Sequence, residues 1–269
     1  MNRTGLTIAL AVAVAVGAVF GIYPELDLRI SQPFYETLDA SKNIFAWRIY
    51  PPLMWLRDIM LWIVTAVAVA VLFALIAKLV LPRRRMLISA RAILFLLGTL
   101  ALAPGLVTNV LLKDHWARPR PIDVTQYGGP EHFVPWWDPR GDCPNNCSFV
   151  SGDVSGVYWL LAPAALAPPA WRAAAYAGAL VLGTGMAAIR VAMGGHFTSD
   201  VVFAGVFTFL IVWLMHGLIY RWPRTRLPEK KLERAIERAA LPGYNFVTGL
   251  FAARKPARKK RKRTRRARK

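Results

Sequence analysis

The chain has 269 residues, of which 55% are hydrophobic and 12% aromatic, yet its formal net charge is +20. In a chain this rich in both apolar and basic residues, the two classes must occupy separate segments of the sequence. This excludes an ordinary soluble domain, in which apolar and charged residues are interleaved. The composition indicates a membrane protein with basic flanking segments.

Six apolar stretches could each cross the hydrocarbon core of a bilayer, which is about 30 Å thick. We therefore predict an all-α membrane protein built as a bundle of six transmembrane helices. The fourth stretch is short and contains three prolines, so a buried or re-entrant segment is the alternative there. In chain order the stretches are residues 6–23, 59–81, 92–112, 154–170, 173–193 and 201–220.

The basic residues that flank these stretches predict the orientation of the bundle. They lie on one face if both termini are cytoplasmic, as the positive-inside rule requires. A cleaved signal peptide is the alternative for the first stretch, but no small-x-small cleavage site follows it. The other face also carries cations, which suggests that it binds an anion. The flanking residues are Arg3, Lys78, Arg83, Arg84, Arg85, Arg91, Arg172, Arg221, Arg224 and Arg226.

The third stretch leads into a long loop that contains Lys113 and, seven residues later, Arg120. Ser151, Gly152 and Asp153 end the loop at the predicted start of the fourth helix. They are ordinary helix-capping residues, and capping alone is one interpretation. Free amides, the hydroxyl group and the positive end of a helix dipole would also suit phosphoryl oxygens.

Two cysteines, Cys143 and Cys147, lie in the same loop. In an oxidising compartment they could close a small disulfide ring. Two free thiols are an alternative. A zinc site is another, although the two cysteines and the nearby His132 do not complete a set of four ligands.

A guanidinium, an imidazole and a carboxylate follow the fifth stretch, at Arg190, His196 and Asp200. If His196 opens a helix, Asp200 shares its face and can hold one ring nitrogen, which leaves the other nitrogen free as a nucleophile. Arg190 would then bind phosphoryl oxygens. The alternative is a capped helix start with a structural ion pair.

These three segments, in this order, resemble the type 2 phosphatidic acid phosphatase superfamily. Its signature is Lys-x6-Arg-Pro, then Pro-Ser-Gly-His, then Ser-Arg-x5-His-x3-Asp. Lys113 to Pro121 fits the first segment, and Arg190, His196 and Asp200 fit the third. The resemblance implies an enzyme of the bacterial inner membrane, with six helices and its active site at the periplasmic face.

The mechanism that this resemblance implies is attack of His196 on phosphorus, formation of a phosphohistidine and hydrolysis by water. Asp200 would fix the imidazole tautomer, and neither a metal nor another cofactor is required. Side chains and one amide would hold the phosphoryl oxygens as charge shifts in the transition state. These phosphate-binding residues are Lys113, Arg120, Ser151, Gly152 and Arg190.

The chain departs from the signature at Val150, Ile189 and Asp153. Asp153 matters most, because it replaces the histidine that in this family is thought to protonate the leaving oxygen. An aspartate can do so only if burial or a second acid keeps it protonated. His115 and His132 are alternative proton donors from the same loop.

A site at the membrane surface favours a phosphorylated membrane lipid as the substrate, and aromatic residues within 45–55 could support access to its headgroup. The outer loop and the acidic residue of the second segment resemble bacterial lipid A phosphatases, so lipid A is favoured. Undecaprenyl pyrophosphate and phosphatidylglycerophosphate are the rival substrates. A transporter and a non-enzymatic tether are the alternatives of another class.

Three regions follow from the composition: a membrane phosphatase domain over residues 1–220, a weakly amphipathic juxtamembrane segment over 221–253, and a tail over 254–269. The tail holds twelve basic residues among sixteen and is expected to be disordered alone. On the cytoplasmic face it should contact anionic lipid headgroups. Nucleic acid is the disfavoured partner, because nothing aromatic or folded accompanies the charge.

Overall fold

The computed structural model describes residues 3–39 and 42–253, which are mostly helical. The expected basic tail over residues 254–269 lies outside this range. A two-stranded antiparallel sheet of β1 (Tyr35–Asp39) and β2 (Lys42–Phe45) separates the second and third helices. The helices are α1 (Arg3–Ile22), α2 (Glu25–Ser31), α3 (Pro51–Val80), α4 (Ala90–Leu112), α5 (Gly152–Tyr158), α6 (Leu161–Leu166), α7 (Pro169–Ala192), α8 (Thr198–Arg221) and α9 (Glu229–Ala253).

Five of these helices, α1, α3, α4, α7 and α8, are long and apolar enough to cross a membrane. Long runs of Ala, Val, Leu and Ile favour helices here, because backbone groups in lipid must be hydrogen-bonded within the helix. Large apolar side chains such as Val14, Trp62, Phe73 and Val181 point outward and are exposed. Such a surface is suited to contact with lipid.

The fourth predicted span is two short helices, α5 and α6, in place of one long helix. They pack in the centre of the bundle against α4, α7 and α8, and seven of their thirteen residues are buried while none is fully exposed. Where six spans were expected, the structure has five long apolar helices and one buried, broken pair of short helices. Three prolines near the end of the segment explain the break and its early end, because proline cannot donate a helical hydrogen bond.

The α5–α6 pair nevertheless runs the length of α4 in the opposite direction. At one end, Gly152 lies beside Lys113. In the middle, the Trp159 indole donates hydrogen bonds to Thr99 Oγ1 at 3.0 Å and to the Leu96 carbonyl at 3.2 Å. At the other end, Ala167 and Ser89 line one cavity. The pair therefore packs along α4 from the Lys113 end towards the Ser89 end.

The hairpin was not predicted from the sequence, which indicated an all-α protein. Its register pairs Tyr35 with Phe45, and Phe45 is buried against Tyr127 and Gly194. A Cβ atom at Gly194 would overlap the Phe45 ring, and Gly194 has a positive φ of 63°. Position 194 therefore requires glycine. The hairpin packs directly on the loop that carries His196.

The last helix, α9, occupies most of the juxtamembrane segment expected over 221–253, and it packs against α3 and α4. The buried Lys78 ammonium contacts Glu237 at 2.6 Å and Glu233 at 3.4 Å. Glu229 accepts a hydrogen bond from the Ala90 amide at 2.5 Å and pairs with Arg91 at 3.0 Å. These contacts fix α9 against the end of the bundle opposite His196.

Candidate active site

The residues of the three signature segments meet at one end of the bundle. Lys113 directly follows α4, Asp153 is in the first turn of α5, Arg190 is in the last turn of α7, and His196 lies between α7 and α8. The connections bring these helix ends together although the residues are up to 83 positions apart in the sequence. The spacing of the motifs could not reveal this proximity.

His196 is buried, and its Nδ1 atom lies 2.7 Å from the Ser148 carbonyl oxygen. Because a carbonyl oxygen can only accept, Nδ1 carries the proton and Nε2 keeps its lone pair. Burial, followed by the charges of Arg190, Arg120 and Lys113, lowers the pKa of His196 well below its usual value. The ring is therefore neutral at neutral pH, which is the form that a nucleophile requires.

Asp200 does not hold the imidazole directly, and this corrects the expected contact with His196. Its carboxylate accepts hydrogen bonds from Ser148 Oγ at 2.5 Å and from the Phe197 amide at 2.9 Å, and it also pairs with Arg118. The expectation assumed that a helix opens at His196. The helix instead begins at Thr198, so Asp200 belongs to its first turn and reaches back to the backbone as a capping residue does.

A buried ionic network that centres on Arg118 lies behind Asp200 and was not predicted from the sequence. The Arg118 guanidinium is fully buried and donates to Asp27 at 2.8 Å, Ser199 at 2.8 Å and Asp200. Asp27 also accepts from the Ser199 amide at 2.9 Å. Each charge in this network has an opposite partner, so α2, the motif loop and α8 are held in one arrangement. No local pattern marks such a network, because its members come from three distant segments.

Lys113 and Arg120 share one neighbour, Asn146. The Lys113 ammonium donates to Asn146 Oδ1 at 2.9 Å, and Arg120 donates to the Asn146 carbonyl oxygen at 2.7 and 3.2 Å. Burial lowers the pKa of both cations, and the charge of Arg120 lowers that of Lys113 further. Two positive charges that lie close together and are partly removed from water form a site that favours an anion.

Cys143 and Cys147 form a disulfide in the structure, so their sulfur atoms are bonded to each other. Asn146 lies within the five-residue ring that this bond closes. The Cys147 amide donates to the Lys113 carbonyl at 3.1 Å, and the next amide, of Ser148, donates to the Arg118 carbonyl at 2.8 Å. The ring therefore packs along the backbone of the first motif.

Two glycines let the backbone approach the cations closely. A Cβ atom on Gly152 would lie 2.8 Å from Asn109 Oδ1 and 3.5 Å from Lys113 Nζ, and one on Gly195 would lie 2.5 Å from Arg190 Nη2. The Ser151 hydroxyl is fully buried and makes no hydrogen bond to the described residues. These features suit a phosphoryl group, whose oxygens accept hydrogen bonds from such donors.

Asp153 forms ion pairs with Arg57 at 2.8 Å and with Arg190 at 3.4 Å. Its side chain is 24% exposed. Both of its ion-pair partners among the described residues are arginines, and neither is a second acid. Asp153 therefore links α3 and α7 through its two ion pairs. Arg57, from α3, was also missed by the sequence analysis, because it lies outside the three signature segments.

Among the described residues, neither of the two alternative proton donors makes a hydrogen bond or ion pair with Lys113, Arg120 or Arg190. The His115 ring contacts the Val110 carbonyl oxygen at 3.1 Å. The His132 ring is 82% exposed and pairs with Asp142 at 3.1 Å.

Comparison with known proteins gives a family and three curated relatives. The PAP2 superfamily model matches residues 92–226. A protein of Francisella tularensis subsp. novicida (strain U112) named lipid A 4'-phosphatase is 34% identical over 232 residues, which cover 82% of this chain and 98% of the relative. Proteins of the same name from Rhizobium leguminosarum and Rhizobium etli are 34% and 32% identical, each over 70% of this chain, and 84% and 76% of the respective relatives are covered.

No solved structure matches the chain. The family model nevertheless covers Lys113, Arg120, Arg190, His196 and Asp200 within its matched range. The first relative aligns along nearly its whole length. The chain therefore belongs to the PAP2 superfamily and is a phosphatase of that family.

Proposed function

We infer that the chain hydrolyses a phosphomonoester of lipid A, at the 4' position, through a phosphohistidine intermediate. The observation that carries this inference is the state of His196. Its ring is buried and neutral, Nδ1 donates to the Ser148 carbonyl, and the charges of Arg190, Arg120 and Lys113 act with burial to lower the pKa of the ring. A free Nε2 atom beside three cations is suited to attack on a bound phosphate.

The reaction proceeds in two displacements. Nε2 of His196 attacks phosphorus and the bond to the sugar oxygen breaks, so that a phosphohistidine forms and the sugar oxygen leaves with a proton from water. A second water molecule then attacks phosphorus and releases inorganic phosphate, which restores the neutral imidazole. Lys113, Arg120 and Arg190 hold the three non-bridging oxygens, whose charge shifts in both transition states.

The choice of lipid A rests on the relatives, which carry the name lipid A 4'-phosphatase and align with 70–82% of this chain. An aromatic rim near the site supports a lipid substrate. Trp47 and Tyr50 are exposed and, with Ala46, line a cavity of about 240 Å³. Ala46, which lines this cavity, directly follows Phe45 in the chain. Phe45 packs on Gly194 beside the loop that carries His196. Aromatic side chains of this kind are favoured at the boundary between lipid and water.

The site lies on the periplasmic side of the inner membrane in this proposal, and both termini are cytoplasmic. Six crossings are needed for the termini to share one side. The α5–α6 pair supplies the sixth crossing, because it extends from the Lys113 end of α4 to its Ser89 end. The surrounding helices shield the pair from lipid, so it needs neither the length nor the composition of a lipid-facing span.

Replacement of the nucleophile tests the mechanism. The purified His196→Ala variant, assayed in detergent with bisphosphorylated lipid A, should release phosphate at less than about one thousandth of the wild-type rate, since nucleophile and hydrolysis are lost together. Arg140→Gln, at an exposed arginine of the outer loop, is the control and should retain full activity. Brief labelling with substrate carrying ³²P should trap acid-labile phosphate on the wild-type protein and none on His196→Ala.

Normal turnover by His196→Ala would contradict the mechanism. Mass spectrometry of the product tests the substrate: loss of phosphate from the 4' position is expected. Preferential hydrolysis of undecaprenyl pyrophosphate or phosphatidylglycerophosphate in the same assay would overturn the choice of lipid A and leave the mechanism standing.

A further inference from the structure

One cation at the site comes from outside the three signature segments. Arg57, in the second turn of α3, donates from Nε to Asp153 Oδ2 at 2.8 Å. The same carboxylate oxygen lies 3.4 Å from Arg190 Nε. A single oxygen of Asp153 thus contacts the Nε atoms of two arginines that belong to different helices.

Arg57 is held at Nε by a hydrogen bond to Asp153, whereas Arg190 Nε lies within ion-pair distance of the same oxygen without a hydrogen bond to the described residues. Arg190 Nη2 lies against the backbone of Gly195, the residue directly before His196. Arg57 Nη1 contacts Asp58 at 3.1 Å, and Nη2 has no hydrogen-bond partner among the residues that the structure describes. Because Nε and the two Nη atoms of a guanidinium lie in one plane, a carboxylate at Nε fixes the direction of the Nη atoms.

The charge balance explains why a carboxylate occupies this position. Arg57 and Arg190 both lie within ion-pair distance of the same oxygen of Asp153, which places a negative charge between the two guanidinium groups. Two guanidinium groups repel each other at close range, and an anion between them lowers the energy of bringing both to one site. A neutral histidine at the same position could not do this.

We propose that Arg57 is an additional phosphate-binding residue of this site and that Asp153 positions it beside Arg190, where the superfamily signature has a histidine acid. The proposal deepens the proposed function and rests on it for the location of the phosphate. Arg57 supplies a fourth cation from α3, and it takes over part of the stabilisation of the leaving oxygen. The phosphoryl group is thereby enclosed by cations from α3, α7 and the first motif loop.

A binding measurement tests Arg57 independently of turnover. Calorimetric titration of the detergent-solubilised protein with orthovanadate and with inorganic phosphate should show at least tenfold weaker binding to Arg57→Gln, as expected for loss of one charge-assisted hydrogen bond. Arg57→Lys should bind with intermediate affinity, because lysine keeps the charge and loses the fixed plane. The matched control is the ion pair of the exposed Arg140 with the partly buried Asp138 in the outer loop, in which Arg140→Gln should change nothing.

A double-mutant cycle tests the positioning role of Asp153. In the Asp153→Asn background, Arg57→Gln should weaken phosphate binding by no more than about twofold, because Arg57 is no longer held in place. The Asp138→Asn background should leave the full effect of Arg57→Gln. Thermal unfolding of each variant reports whether a loss of binding is simply a loss of fold.

A third measurement separates positioning from proton donation. If Asp153 positions arginines, Asp153→Asn should reduce kcat/KM for lipid A and for an activated aryl phosphate by similar factors. An acid would matter for the sugar oxygen and much less for the good leaving group. A selective loss with lipid A would overturn the proposal, as would unchanged phosphate affinity in folded Arg57→Gln. Failure of the proposed function is distinct, since it would appear as wild-type protein that binds phosphate and releases none from lipid.

Discussion

At the scale of single residues, the protonation state of His196 decides whether the site can act. The ring is removed from water and faces the charges of Arg190, Arg120 and Lys113, all of which disfavour the imidazolium form. The hydrogen bond to the Ser148 carbonyl acts in the opposite direction but is the smallest of these influences. The nucleophile is therefore neutral below the pH at which an ordinary histidine becomes protonated.

This dependence can be measured through the Lys113→Gln variant. A lowered pKa means that His196 loses activity by protonation only at acidic pH, so removal of one nearby cation should raise that pKa. The acid limb of the kcat/KM profile should then move to higher pH than in the wild type. The substrate is the same in both profiles, so its own ionisation cancels in the comparison. Arg140→Gln should leave the limb in place, and an unshifted limb in Lys113→Gln would contradict the electrostatic origin of the pKa.

At the scale of elements, the disulfide ring connects the outer loop to the phosphate site. Asn146 lies between Cys143 and Cys147 and binds both Lys113 and Arg120. The ring also donates backbone hydrogen bonds to the first motif loop. A short covalent ring limits the conformations of Asn146, so the two cations are held before substrate arrives.

Loss of the ring should therefore weaken substrate binding more than chemistry. In the chain-entropy account, a ring this short restricts the unfolded chain by about 2 kcal/mol. The Cys143→Ser/Cys147→Ser variant should show a severalfold higher KM for lipid A with kcat reduced less. A reducing agent should produce the same change in the wild type and none in the double variant. Equal KM values for the oxidised wild type and the double variant would show that the loop holds Asn146 without the bond.

At the scale of the whole molecule, the proposed topology depends on whether the buried α5–α6 pair crosses the membrane. Five long helices alone would put the termini on opposite sides, whereas six crossings put them on the same side. The contacts of the pair along the length of α4 support the crossing. The basic connections and α9 then share one side, and the signature residues share the other.

Thiol labelling tests this arrangement in the Cys143→Ser/Cys147→Ser background. Single replacements at exposed positions are Gln126→Cys in the outer loop, Arg84→Cys between α3 and α4, and Ala170→Cys after α6. In intact spheroplasts, a membrane-impermeant maleimide should label the first and should label the other two only after permeabilisation. Labelling of Ala170→Cys in intact spheroplasts would show that α5–α6 does not cross.

Much of the site could be predicted because motif spacing and apolar length are local properties. The segments with Lys113, Arg120, Arg190 and His196 were identified in sequence, and the structure brings them to one end of the bundle. Contacts among distant segments were not predictable. Asp200 was assigned to the wrong partner because the helix starts two residues later than assumed. Arg57 and Arg118 carry no motif of their own.

The sequence by itself indicated the long apolar segments and the residues of the candidate site, because hydrophobic length and motif residues are read directly along the chain. Only the tertiary structure decided which charges are paired. It joined Arg118 to Asp27 and Asp200, and it turned Asp153 from an expected acid into the partner of Arg57 and Arg190. The physical reason is that an ion pair depends on distance in space, which packing sets and residue order does not.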